Sequence, residues 1–206
     1  MNKILNVISV FIISLILAGN VIAQKAENST IDSTASTKKF TRAINMCPGG
    51  IAFGVYSFNF EYLINQTHGL VGRFDYESIS ETYSGDPVDV NGFALILNYR
   101  WHWSGALESG FIGSYVRYRT YIGSGKSSTS KFDFTMPELT LGLNIGKRWV
   151  WNNGFNLNLA FGYGISTSST DMDPNSSSIK ATIKEFKDDY TFLGPFLGEF
   201  SIGYAF

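Results

Sequence analysis

Charge is scarce in this chain. Asp, Glu, Lys and Arg make up 16% of its 206 residues, against about 25% in soluble domains. The deficit asks for a surface on which charge is costly. The outside of a membrane barrel is one, since a charge at the bilayer midplane costs about 2–4 kcal/mol there. Cysteine is nearly absent. Cys47 is the single one, so no internal disulfide can form. No histidine or acid neighbours it, and it reads as a small strand residue rather than a reactive thiol. Histidine occurs only at positions 68 and 102, which starves acid–base and nucleophilic chemistry. No zinc spacing, phosphate-cradling glycine fingerprint or basic stripe is present. The formal net charge of −1 gives no hint of nucleic acid.

A long apolar run is also missing. The best candidate, Ile4 to Leu17 after Lys3, falls short of the roughly 20 residues that a helical span needs. With Val21-Ile22-Ala23 before Gln24 it reads as a secretory signal peptide over residues 1–23. No cysteine stands at the cleavage site, so a lipid-anchored mature end is not expected. Residues 24–38 are polar, aperiodic and rich in Ser and Thr, as in a disordered leader. Residues 39–206 form one further unit.

What the chain does have is alternation. Phe196, Gly198, Phe200, Ile202, Tyr204 and Phe206 share one face, and Leu197, Glu199, Ser201, Gly203 and Ala205 share the other. Period two means a strand. A strongly apolar face against a small polar one suits lipid outside and a narrow wet lumen inside. The same pattern recurs over Tyr56–Ile64, Phe93–His102, Leu139–Gly146 and Phe155–Ile165. Leu70–Ser78 and Ser109–Thr120 follow it less cleanly. In the latter, the phase that turns Arg117 and Arg119 inward is favoured, because arginine in lipid is costly. Phe40–Met46 supplies a weak first strand, with Pro48-Gly49-Gly50 as the turn after it. Eight strands follow, predicting an all-β, eight-stranded antiparallel up-and-down transmembrane barrel.

Connection lengths alternate as well. Short ones lie at 65–69, 104–106 and 152–154, and long ones at 80–91, 122–131 and 167–192, the last able to hide a short strand around Ala181–Phe186. Short periplasmic turns and long external loops fit a barrel in the outer membrane of a Gram-negative cell. Trp101, Trp103, Trp149 and Trp151 all flank short turns and read as a periplasmic aromatic girdle, level with Tyr62 and Phe206. Tyr76, Tyr118 and Tyr163 would form the external one.

The predicted lumen carries Arg73, Arg100, Arg117, Arg119 and Arg148 with Glu61, Asp75, Glu77, Glu138 and Glu199. Buried charges must pair, so these read as a cross-strand network plugging the barrel. A gated pore, whose pairs swap partners, is the alternative. Eight strands leave room for side chains and little else. His68 and His102 both fall at periplasmic turns, His68 as a turn residue and His102 as a hydrogen-bonder in the lumen, so no catalytic residue is expected. No cofactor or metal site is expected either, and Asp171, Asp173, Asp188 and Asp189 read as a solvated loop.

These residues together resemble small outer-membrane barrels of the OmpA and OmpX type. Ser201-Ile-Gly-Tyr-Ala-Phe206, with Ile202, Tyr204 and Phe206 on one face, is similar to the signal read by the barrel-assembly machinery. Tyr56-Ser-Phe-Asn-Phe-Glu-Tyr-Leu-Ile64, Gly69-Leu-Val-Gly and Tyr115-Val-Arg-Tyr118 resemble a family of uncharacterised bacterial outer-membrane barrel domains. The resemblance implies outer-membrane lipid and the assembly machinery as partners. It implies a non-enzymatic structural or surface-interaction role through external loops, and it leaves the external partner unnamed. Unlike OmpA, the sequence shows no periplasmic domain after the barrel, so peptidoglycan anchoring is not implied. A secreted soluble barrel binding an apolar ligand would need the opposite facing, with apolar residues inward.

Overall fold

The computed structural model describes residues 40–83, 85–126, 131–173 and 177–206. The signal peptide and leader expected over residues 1–38 lie outside them. Each alternating segment forms a strand: β1 (Arg42–Met46), β2 (Val55–Leu63), β3 (His68–Tyr83), β4 (Asp86–His102), β5 (Gly110–Lys126), β6 (Lys131–Val150) and β7 (Phe155–Ser168). A three-residue β8 (Asp171–Asp173) precedes the closing β9 (Phe196–Ala205). Two helices complete the described residues, α1 (Pro48–Ile51) and α2 (Ser177–Leu193).

Neighbouring strands pair antiparallel in chain order. β7 then pairs with β9 and β9 with β1, so eight strands close a ring and β8 adds to β6. Closure leaves no strand edge to lipid over the paired lengths. The Phe206 main chain ties the end of the chain to β1: its N–H donates to Arg42 O at 2.8 Å, and its carbonyl accepts from Arg42 N–H at 3.0 Å.

The strand faces sort as the alternation requires. Outward-facing Ile165 is 84% exposed, Leu143 71% and Leu95 64%. Inward-facing Glu61, Arg100, Arg148, Asn156, Asn158 and Ser201 are all fully buried. Apolar residues therefore point out and charges point in, the reverse of what the soluble ligand-binding alternative needs. Along β4 the apolar outer row runs from Phe93 to Trp101, a band about 20 Å tall after strand tilt.

Above Phe93 the pattern inverts. β3 and β4 continue to Tyr83 and Asp86, and β5 and β6 to Lys126 and Lys131, so the segments expected as loops at 80–91 and 122–131 are mostly strand. Here Asp89, Asn91, Ser124, Asp133 and Thr135 face out, while Val88, Val90, Tyr121, Phe132, Phe134 and Met136 are buried. Helix α2 lies on that inner face. Ile179, Ile183 and Phe186 recur at helical spacing, and all join the cluster. The stretch around Ala181–Phe186, where the long connection could have hidden a short strand, is therefore a helix. Its apolar residues come four and three apart, and an antiparallel wall offers them a concave seat.

The lumen glycines are not open space. A side chain on Gly142 would meet the Tyr115 ring at 2.5 Å, and one on Gly123 the Phe134 ring at 2.2 Å. These positions are small because a neighbouring strand lays an aromatic ring across them. Where a narrow wet lumen was expected beside small residues, aromatic rings fill the space.

Candidate functional site in the lumen

The inner faces of the strands bring the predicted charges into two groups. The lower one centres on Glu61 of β2. Its Oε2 accepts from Arg100 at 2.8 Å and from Arg148 at 2.6 Å, and its Oε1 lies 2.7 Å from His102 Nε2. Arg100 also donates to Glu199 of β9 at 2.6 Å. Glu199 Oε1 in turn accepts from Asn59 at 2.9 Å, Asn158 at 2.6 Å and Ser201 at 2.9 Å. Five strands therefore meet on two carboxylates. Arg100 further lies 4.2 Å over the Phe111 ring. Arg73 bonds Asp75 at 2.6 Å beside this group.

The upper group sits one layer higher. Arg119 pairs with Glu77 at 3.2 Å, Arg117 with Glu138 at 3.2 Å, and Arg119 Nη1 also donates to Tyr121 Oη at 2.6 Å. A small apolar cluster of Ala94, Ile96, Tyr115 and Leu197 lies alongside the two groups, with Ile96 next to Arg73 and Arg117 and Ala94 next to Asp75 and Arg119 in register. Across both, five arginines face five acids. Their formal charges cancel, as low-dielectric burial demands.

Each end of this polar column carries an apolar stopper. At the rim of short turns, Leu63, Leu107, Val150, Ala43 and Ala205 form a buried floor with Phe40 packed against it. Leu107 is 1% exposed and comes from the β4–β5 connection, which dips into the barrel. The expected bare turn at 104–106 is thus part of a longer segment that folds inward. At the other rim the α2 cluster forms a roof. Floor and roof were both missed from sequence. Leu107 is a single apolar residue in a turn, while the helix signal lay inside a polar stretch.

The remaining expected residues fall as follows. Trp101 and Trp103 face out near the short turns, at 43% and 51% exposed. Trp151 is half-buried. Trp149 has outward strand parity, yet it is 3% exposed, packed with Leu157 beneath Trp151, Leu159, Phe200 and Ile202. A girdle residue should present its ring to the interface, and this one is covered by its neighbours. Tyr204 and Phe206 are exposed, and Ile202 is half-buried in that same cluster. His68 Nδ1 lies 2.5 Å from Tyr99 Oη, with the rings stacked. Its imidazole is spent on the lower outer face, and that of His102 on Glu61. Asp188 pairs with Lys184 on α2 at 2.6 Å. Among the described residues no group of three or more His, Cys, Asp or Glu could hold a metal ion.

Among solved structures, the chain is similar to Ail, the attachment invasion locus protein of Yersinia pestis. The identity is 10% and the TM-score 0.50, with 82% of this chain and all (100%) of that one covered. The fold is that of a small outer-membrane β-barrel. CarO2 of Acinetobacter baumannii also aligns, at 11% identity and TM-score 0.45, over 82% of this chain and 98% of that one. No protein-family model matches the barrel and no curated protein does, so the likeness rests on strand arrangement. Ring closure, short turns at one rim and the outward apolar band are the features of such barrels. No helix of the described residues is long and apolar enough to cross a membrane; the barrel crosses with strands.

Proposed function

We propose that this protein is a non-enzymatic outer-membrane barrel with a plugged lumen. It would serve as a rigid stalk that presents a folded cap to the outside. The observation that carries this reading is the sequence of layers along the axis: apolar floor, paired charges, apolar roof. A conducting path needs a continuous wetted column. Here Leu107 and Phe186, 1% and 0% exposed, lie at opposite ends of it. Breaking an ion pair inside costs several kcal/mol, because the partner stays buried and charged.

The surface role follows from the cap. Its inner face is spent on packing, which leaves Asp89, Ser124, Lys126, Lys131, Asp133, Lys180 and Lys184 facing solvent as a mixed polar display. Ail's name speaks of attachment and invasion; for this chain an attachment role is a proposal, carried by the cap and not by the likeness. The lipid-facing band, the exported start expected over residues 1–23 and the terminal Ile202, Tyr204 and Phe206 favour residence in the outer membrane after assembly-machinery insertion.

Planar-bilayer recording on the purified barrel tests the plug. The expected result is a silent membrane. Sustained single-channel steps would replace the plug with the gated-pore reading.

A further inference from the structure

β1 closes the ring over only part of the length of β9. Their pairing runs from Ala43↔Ala205 to Met46↔Ile202 and stops. β9 meanwhile follows β7 from Phe155↔Tyr204 up to Tyr163↔Phe196. Beyond Met46 the chain leaves the sheet. The Cys47 N–H donates to Ser57 O of β2 at 3.0 Å, and α1 turns away. Among the described residues, Phe196 to Phe200 therefore has β7 along one edge and no strand along the other. This stretch lies beside Leu159, Phe161 and Tyr163, in the half of the apolar band nearer the cap.

A bare strand edge in hydrocarbon is costly. Side chains reaching through the lumen take the place of the missing strand. Arg73 Nη1 donates to Gly198 O at 2.9 Å, and Arg117 Nη1 to Phe196 O at 3.0 Å. On the paired side, Pro195 O accepts from Gly164 N–H of β7 at 3.1 Å and from the Tyr115 hydroxyl at 2.8 Å. Outside, α1 covers the seam: a side-chain carbon on Gly49 would stand 3.7 Å from Phe200 Cβ.

We propose that this seam is a lateral gate between the lumen and the outer leaflet, latched by Arg73 and Arg117. A strand pair opens only by losing a cooperative ladder. This latch opens by releasing carbonyls while each arginine keeps its acid, Arg73 on Asp75 and Arg117 on Glu138, so no charge is orphaned. With floor and roof closing the axis, the seam is the opening through which a lipid-soluble probe reaches Cys47 from the bilayer. The inference needs the barrel to sit in a membrane and does not depend on what the cap binds.

Cys47 is the reporter, since it is the single cysteine, is 5% exposed and sits at the foot of the seam. The full-length barrel is placed in liposomes and offered either a bilayer-soluble pyrene maleimide or a charged, water-soluble one. The bilayer-soluble reagent should label Cys47 and the charged one should not. Arg73→Gln should speed labelling about tenfold, the factor carried by one charge-assisted hydrogen bond. A staple, Gly49→Cys with Phe200→Cys, has side-chain carbons within disulfide range. Once oxidised, with the bond located by peptide mapping, it should nearly stop labelling. It decides the matter even where Arg73→Gln fails to fold. Three results would overturn the gate: labelling of the stapled barrel at the unstapled rate, equal labelling by both reagents (an axial route), or no labelling in the unstapled barrel. Equal labelling by both reagents would also count against the plug, whereas unchanged labelling of the stapled barrel, or no labelling at all, would sink the gate alone and leave the plug standing.

Discussion

The same four strands, β3 to β6, build two regions with opposite interiors. Below Phe93 the wall is apolar outside and charged inside. Above it, Asp89 and Asn91 face out while Val88 and Val90 face in. The backbone does not change; only the solvent does. In lipid, the hydrophobic effect no longer drives residues inward, and charges retreat to the lumen where they can pair. In water, the usual burial of apolar surface returns, and α2 is recruited to complete it. The inversion therefore marks the height at which the barrel leaves the membrane.

Substitutions that exchange the rules of the two regions test this division. The largest effect is expected for Glu61→Ala, which strands Arg148 in the lumen and leaves Arg100 with Glu199 alone. It should cost about 3–5 kcal/mol, read by urea unfolding in lipid vesicles and by a lower temperature for the boiling-dependent gel shift. Next comes Leu143→Arg on the lipid face, expected to cost about 2–4 kcal/mol in the same assay. Ile183→Val removes one buried methyl from the roof and should cost about 0.5–1.5 kcal/mol. That loss should appear as faster amide exchange in α2 and the tips of β5 and β6, with the gel shift unmoved; a moved gel shift would mean the two regions melt as one. Smallest is Thr135→Arg, outward on the upper wall, expected to stay within about 0.5 kcal/mol. If it costs as much as Leu143→Arg, the membrane boundary is misplaced.

The lower region was legible in sequence because its rule is constant. Phe93, Leu95, Leu97 and Tyr99 keep one parity, and Asn98 and Arg100 the other, so strand, face and lumen residues follow together. The upper region was not, because alternation continues through Asn91 while the meaning of each face flips. A reading that follows one apolar parity stops at Phe93 and writes a loop. Ten lumen charges could be named, but their partners could not. Pairing depends on register, which places Glu61 beside Arg100 and Arg148 from strands 39 and 87 residues away. The burial of Trp149 was hidden for a similar reason, since its cover comes from β7 and β9. The seam was invisible too, because β1 reads as a weak strand and its shortness carries no signal about what replaces it.

The cap also has a place in the order of the chain. Helix α2 comes after seven wall strands and before the eighth, so one stretch of chain both roofs the lumen and supplies the stave that closes the ring. Lid and clasp are thus a single piece of polypeptide, and whatever pulls on the cap pulls on the last strand of the wall.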